Sequence, residues 1–514
     1  MLHENLRFAL LVALIGAAGC APAARETRPN VLFIAVDDLR PELGAYGNSI
    51  VKTPNIDRLA ASGVTFMRAY VQQAVCNPSR ASLLTGLRPD SLRVWDLQTE
   101  MRTQLPDVVT IPQWFAQHGY VTTAIGKIEH NIFPDTLSWT LPKMYVDGFP
   151  FDPDAVYLGE EGLVMQANRM AGILASDRPY RNRDVFGEYY LKAQATEAPD
   201  VPDDAYYDGA QTTAALTKIA ELAGGDVPFF FGVGYYRPHL PFNAPKRYWD
   251  LYDEVDIKLA TNPYVPDQAP IMAINTMREL RGYTDFSEIG HPSDGPLPEA
   301  DARRLKHGYY ASVSYVDAQV GRLLDGLDSL GIADNTIVVL WGDHGWKLGE
   351  HASWAKMSNF EIDTRAPLIL RAPGRGTPGT KLDQLTEFVD VFPTLADLAG
   401  LPVPAWLQGS SAAPLLDAPD RPWKKAAFSQ FLREGIWIAP DGQPYMGYSV
   451  RNERFRYTAW MHWETKKFVA WELYDHETDP DENVNIADRP EFTETRAELE
   501  AMRVAGWRAA RPQG

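Results

Sequence analysis

Three short stretches of the 514-residue chain carry side chains suited to chemistry rather than packing. The first is Asp37-Asp38, directly after the apolar run Asn30 to Val36. Adjacent carboxylates repel unless a cation neutralises them. The second is Asp343-His344, which with Gly342 closes a similar run, Thr336 to Trp341. Carboxylate oxygens suit hard divalent ions, so two apolar runs that each end in Asp can converge on one Ca²⁺ or Mg²⁺. An isolated Asp pair would more simply cap a helix or face water; its recurrence in the same context favours a metal. The third stretch is Cys76-Asn77-Pro78-Ser79-Arg80-Ala81-Ser82-Leu83-Leu84-Thr85-Gly86. The chain has only two cysteines, Cys20 and Cys76, and if both are used covalently none is left for a structural disulfide. That favours a modified, reactive Cys76 over the plainer alternative, a buried cysteine that starts a helix.

Composition narrows the partners. A net charge of -18 excludes the basic footprint that nucleic acid requires. A polyanionic substrate would be repelled at long range and must be held by cations focused inside a pocket. Phe8 to Gly19 is an apolar stretch after Arg7, too short to span a bilayer. It reads as the core of a signal peptide (residues 1–24), which places the mature chain outside the cytoplasm, in the periplasm or at the cell surface. Ala17-Ala18-Gly19-Cys20 suggests a lipoprotein cleavage site with Cys20 as a lipidated, membrane-anchoring N-terminus; an ordinary cleaved signal peptide is the alternative. No other segment approaches transmembrane length without charges.

The elements that must position these residues follow from pattern. Continuous apolar runs at Asn30 to Val36, Val121 to Ile125, Phe229 to Gly234, Thr336 to Trp341 and Pro367 to Leu370 predict strands buried on both faces. Helical patterns fall between them at Thr53 to Ala61, Thr110 to His118 and Ala302 to Leu330; in the last, Val313, Val316, Val320, Leu323, Leu327 and Leu330 form one stripe. Strands alternating with helices predict an α/β fold around a parallel sheet. The stretches 139–204 and 262–298 show little periodicity and read as loops walling a pocket at the sheet's carboxyl edge. Beyond Leu401 the chain becomes proline-rich, then offers short aromatic strands (Met446 to Val450, Arg454 to Trp460, Phe468 to Tyr474) and a helix near Glu494 to Trp507. This predicts a catalytic domain over 28–418 and a small α+β domain, an antiparallel sheet plus a helix, over 419–514.

Cys76-X-Pro-Ser-Arg followed by Leu-Thr-Gly resembles the signature by which sulfatases have a cysteine oxidised to formylglycine. Asp37-Asp38 and Asp343-His344-Gly345 are similar to the two metal segments of that family. Gly126-Lys127-Ile128-Glu129-His130, Arg237-Pro238-His239-Leu240-Pro241-Phe242 and Trp354-Ala355-Lys356 are similar to its lysine- and histidine-bearing segments. The chain thus resembles type I sulfatases of the alkaline phosphatase superfamily. The iduronate-2-sulfatase branch matches further, at Arg88-Pro89-Asp90-Ser91, Tyr235-Tyr236-Arg237-Pro238-His239 and Gly342 to His351.

The resemblance implies a large mixed, mostly parallel sheet between helices, alkaline phosphatase-like, and hydrolysis of sulfate monoesters of a uronic-acid-containing glycosaminoglycan or algal oligosaccharide. It implies a maturation enzyme that converts Cys76 to formylglycine, whose hydrate offers two hydroxyls, one to attack sulfur and one to expel sulfate. Asp37, Asp38, Asp343, His344 and the modified Cys76 would bind one Ca²⁺. Most sulfatases have Asn where His344 stands. Arg80 would hold and orient the hydrate, Lys127 and Lys356 would bind sulfate oxygens, His130 would assist elimination or orient the hydrate, and His239 would protonate the leaving oxygen. Taken singly, each of these basic residues would be an ordinary surface lysine or structural histidine; the family-like segments favour function. Trp95 and Trp346 are open between core aromatics and a substrate-binding wall for a sugar ring. Rival readings are a phosphodiester or phosphonate monoester hydrolase of the same superfamily and a non-catalytic, lipid-anchored glycan-binding protein.

Overall fold

The structure, a computed structural model, describes residues 28–130, 133–149, 156–175 and 192–512. Cys20 and the expected signal peptide lie outside them. A seven-stranded sheet organises the chain. Its strands are β1 (Asn30–Val36), β2 (Val64–Phe66), β3 (Val121–Gly126), β4 (Phe229–Tyr235), β5 (Thr336–Gly342), β6 (Leu368–Arg371) and β7 (Thr380–Leu382), in the order β7-β2-β6-β5-β1-β4-β3. The β3-β4-β1-β5 half is parallel. β6 runs antiparallel to both β5 and β2, so the sheet is mixed, as the resemblance implies.

Strand β1 shows why its sequence is apolar throughout. Val31, Phe33 and Ala35 enter the core on one face of the sheet, while Leu32, Ile34 and Val36 enter the core on the other. Helices cover both faces: α1 (Pro54–Ser62), α2 (Cys76–Thr85), α3 (Ile111–Gln117), α5 (Tyr207–Ala223), the long α7 (Glu299–Ser329) and α8 (Val391–Leu398), while α4 (Glu160–Leu174) and the single turn α6 (Arg278–Arg281) lie in the connecting segments. In α7, Val313, Val316, Val320, Leu323 and Leu327 are buried in the core with β1. Leu330 departs from the expected stripe: it is the helix C-cap and 40% exposed. The 139–204 stretch is not all loop, since α4 lies within it.

The C-terminal unit is a four-stranded antiparallel sheet, β8 (Ala427–Arg433), β9 (Tyr445–Arg451), β10 (Phe455–His462) and β11 (Phe468–Asp475), carrying helix α9 (Thr493–Ala505). It is bound tightly to the rest. Gln430 N donates to Gln72 O at 2.8 Å, and Arg456 Nη2 donates to Glu361 Oε2 at 2.6 Å.

Candidate active site

The register of the parallel half levels the carboxyl ends of four strands. Val36 stands beside both Gly342 and Tyr235, and Gly126 beside Gly234. The residues that follow are therefore brought together: Asp37 and Asp38 after β1, Asp343 and His344 after β5, Lys127 after β3, and the Tyr236 to Phe242 turn after β4. Glycine is required where β3 and β4 end, because a side-chain carbon at Gly234 would lie 2.2 Å from the Lys127 carbonyl. Asp38 adopts a left-handed conformation (φ 56°), which turns its carboxylate away from the strand direction.

Helix α2 drives into this confluence, and all ten of its residues are buried. Cys76 is its first residue and Arg80 lies one turn on, on the same face. Arg80 Nε donates to Asp343 Oδ2 at 2.8 Å, Nη2 to Asp37 Oδ1 at 3.0 Å, and Nη1 to the carbonyls of Lys127 and Ile128. One guanidinium thus ties together the ends of β1, β3 and β5. Burial works against its charge, but Asp343 and Asp37 outweigh it and raise the Arg80 pKa. Asp37 is held well below the usual carboxylate range: burial alone would raise it, and Lys127 and then Arg80 overcome that. The Cys76 thiol is pushed well up by burial and by Asp37, so it stays protonated and is a poor nucleophile as it stands.

Asp37, Asp38, Asp343 and His344 are all fully buried. His344 Nε2 lies 3.3 Å from Asp38 Oδ1, 3.5 Å from Asp343 Oδ1 and 3.4 Å from Cys76 Sγ. Its Nδ1 donates to the Gly345 carbonyl at 3.0 Å, which in the neutral ring leaves a lone pair on Nε2 facing carboxylate oxygens. Lone pair against carboxylate is repulsive without a cation between them. Ligand atoms of Asp37, Cys76, Asp343 and His344 all lie within 4.8 Å of one another. Two carboxylates, the side chain of position 76 and one imidazole thus gather here, with Asp38 Oδ1 3.3 Å from the same imidazole; the carboxylates fit a divalent ion, the imidazole being the less usual partner for a hard one.

Above these carboxylates opens a cavity of about 180 Å³, lined in part by Cys76, Lys127, His130, His239 and Lys356. Lys127 Nζ donates to Asp37 Oδ2, and Lys356 Nζ to both Asp38 oxygens at 2.8 and 3.0 Å. His239 Nδ1 donates to the Leu240 carbonyl at 2.6 Å. Its turn is anchored by Asp208, whose carboxylate accepts from the backbone N–H groups of Tyr236 and Arg237 at 3.0 and 2.9 Å. His130 Nδ1 has no hydrogen-bond partner among the described residues. Burial and then Lys127 hold the His130 pKa well down, leaving a neutral imidazole.

Neither tryptophan walls the cavity. Trp346 is fully buried, its ring 4.9 Å beneath the Lys356 ammonium, so it packs in the core and cannot meet a sugar. Trp95 packs edge-on against Trp463, with its Nε1 donating to Asp90, outside the cavity lining. The walls that sequence reasoning missed are Glu279 and Arg278 on α6, Lys192, Leu97, Met357, and Ile436 and Trp437 beyond β8. Glu279 gave no signal in the sequence because it sits on a single helical turn inside an aperiodic stretch. The turn that follows β8 was a stronger clue, since apolar Ile436 and Trp437 stand together in a polar, proline-rich neighbourhood.

Comparison with known proteins matches this architecture. Residues 29–401 match the sulfatase family, and residues 349–506 match the family described as N-sulphoglucosamine sulphohydrolase, C-terminal. Iduronate 2-sulfatase of Mus musculus is 35% identical, the alignment covering 89% of this chain and 90% of the mouse protein. Iduronate 2-sulfatase of Homo sapiens is 34% identical, covering 93% of this chain and 96% of its own. In fold, the chain is similar to the phosphonate monoester hydrolase of Agrobacterium radiobacter, with a TM-score of 0.70 at 24% identity, covering 94% of this chain and 96% of that one. With the family match spanning most of the chain and those relatives spanning nearly all of it, the protein belongs to the sulfatase family and is a sulfuric ester hydrolase.

Proposed function

We propose that the protein removes sulfate from a sulfated sugar, with a uronic-acid-containing oligosaccharide as the foremost substrate class. The observation that carries this is the position of Cys76, at the start of α2 between the Asp37-Asp38-Asp343-His344 cluster and a cavity lined by Lys127, His130, His239 and Lys356. The sugar is supported by the mouse and human relatives, both named iduronate 2-sulfatase. Formylglycine at position 76, made by a maturation enzyme, together with Ca²⁺ held by Asp37, Asp38, Asp343 and His344, supplies the nucleophilic oxygen and the Lewis acid.

The chain's own residues do the rest. Lys127 and Lys356 stand between the carboxylates and the cavity, placed to hold sulfate oxygens as charge gathers on them. Arg80 fixes Asp37 and Asp343 relative to the start of α2, so position 76 and the ion site keep one geometry. His239 Nε2, which meets Glu279 Oε1 at 2.9 Å, donates the proton to the leaving sugar oxygen; the Leu240 carbonyl fixes its ring. His130, held neutral, takes a proton at the same mouth. Export through the N-terminal signal, with Cys20 as a lipid anchor, would place this activity where sulfated polysaccharides are met.

Purified protein, matured in its native host, tests the reading on sulfate and phosphate esters of one aryl alcohol, with mass spectrometry of the Cys76 peptide. Expected are the mass of formylglycine and a higher kcat/KM on the sulfate. A thiol alone at Cys76 with no turnover would favour a glycan-binding role, and a higher rate on the phosphate would favour a phosphoester hydrolase.

A further inference from the structure

Among the described residues lining the cavity, six can carry positive charge and one, Glu279, carries negative charge. Its Oε1 accepts from His239 Nε2 at 2.9 Å and lies 3.1 Å from Lys356 Nζ. An ammonium has three protons, and those of Lys356 already meet the two Asp38 oxygens and Glu279. Both ring nitrogens of His239 are engaged as well, one by the Leu240 carbonyl and one by Glu279. An ester oxygen reaches His239 Nε2 only by taking the place of the Glu279 carboxylate. Binding is therefore an exchange of one anion for another.

The carboxylate is held near that place. Asn275 Nδ2 donates to the Lys356 carbonyl at 2.9 Å, and Asn275 Oδ1 accepts from Met277 N at 2.9 Å, which pins the start of α6 against the segment carrying Lys356. The side chain is 10% exposed, so water screens its charge weakly. Burial opposes ionisation, yet Lys356 and His239 overcome it and keep the carboxyl well below its ordinary range.

We propose that Glu279 is a specificity-determining residue that makes this cavity accept singly charged sulfate esters and reject doubly charged phosphate esters. The proposal rests on the ester-hydrolase reading above. A sulfate monoester carries one negative charge. A phosphate monoester carries close to two at pH 8, its second pKa being about 6. The first exchanges for the Glu279 contacts at equal charge, while the second brings an extra charge beside a carboxylate that remains in the cavity. A like-charge juxtaposition in a weakly screened site is a repulsive device of the kind that separates otherwise isosteric ligands. The expected discrimination is about 10- to 100-fold, the range of one like-charge pair about 6–12 Å apart at an effective dielectric near 20.

The test compares wild type, Glu279→Gln and Glu279→Asp at pH 8, in two arms. The first measures kcat/KM on 4-nitrophenyl sulfate and 4-nitrophenyl phosphate. The second measures binding of phenyl sulfate and phenyl phosphate by calorimetry on the same variants carrying Cys76→Ala, which removes turnover. Expected is a sulfate preference in wild type that shrinks at least about 10-fold in Glu279→Gln, mainly through tighter phosphate binding, and is retained in Glu279→Asp. A ratio unchanged in Glu279→Gln, or both esters weakened alike, overturns the proposal while leaving the sulfatase reading intact. Wild type that binds neither ester, or prefers phosphate, overturns the sulfatase reading itself. Should Glu279→Gln fail to fold, an unchanged ratio with the shortened Glu279→Asp side chain would still support a charge effect, and a collapsed one would overturn it.

Discussion

Arg80 Nε donates to Asp343 Oδ2 at 2.8 Å, from the second turn of α2 to the residue that follows β5, and both side chains are at most 1% exposed. The same guanidinium reaches Asp37 at 3.0 Å. Lysine keeps the charge but lacks the planar fork. Arg80→Lys is expected to lower kcat by at least about 100-fold with KM little changed, because a preorganised electrostatic contact is lost. Arg80→Ala leaves two buried carboxylates short of a partner and should cost about 3–5 kcal/mol of stability, measured by denaturant unfolding.

Removing the ion should be visible in the fold as well as in turnover. The buried Asp37, Asp38, Asp343 and His344 cluster favours a bound cation over none. An ion held at 100 times its Kd adds about 2.7 kcal/mol. Dialysis against a chelator is therefore expected to lower Tm and abolish hydrolysis, with Ca²⁺ restoring both. A Tm and rate indifferent to chelator would count against a metal at this cluster.

Ile436 belongs to the C-terminal unit, is 42% exposed and lines the cavity mouth. Ile436→Ser should leave stability within about 0.5 kcal/mol of wild type, as for other surface changes. Steady-state kinetics should show a several-fold rise in KM for a sulfated oligosaccharide and little change for a small aryl sulfate, because only the longer substrate extends to the rim.

Glu472, on β11, accepts from Trp460 Nε1 at 2.7 Å and Tyr474 Oη at 2.8 Å, and is buried. Burial pushes its carboxyl up to about 7. A carboxyl raised in the folded state binds its proton more tightly there than in the unfolded chain. Its contribution is most favourable below the unfolded value near 4.5 and is lost as pH rises to 7. The full swing is on the order of 3 kcal/mol. Unfolding midpoints of wild type and Glu472→Gln from pH 5 to 8 should converge at the acid end and separate at the alkaline end, with the variant less sensitive to pH.

What was legible in the sequence was whatever the sheet itself dictates. Asn30 to Val36 and Thr336 to Trp341 read as doubly buried strands because nothing polar interrupts them, and the recurrence of a carboxylate just after both runs favours a metal. Strand β8 was not legible. Its Ser429 and Gln430 are buried polar residues that bond to Val71 O and to Gln72 O and Asp90, contacts with a distant part of the chain that local pattern does not encode. Trp346 was open between core and wall, since an aromatic beside chemically active residues can be either; here it is buried beneath the Lys356 ammonium. Glu279 was invisible because its meaning comes entirely from where α6 places it, against a histidine 40 positions away and a lysine 77 positions away.

The burial of α2 also sets an order of events. Cys76 is 3% exposed, and the nine residues after it on the helix are all packed away, Pro78 and Arg80 among them. A small ester can approach through the cavity, but another protein cannot grip this segment once the sheet has closed around it. Any catalyst that recognises the Cys76 to Arg80 stretch must meet it as extended chain. Under the maturation proposed above, position 76 would have to be converted before the protein folds.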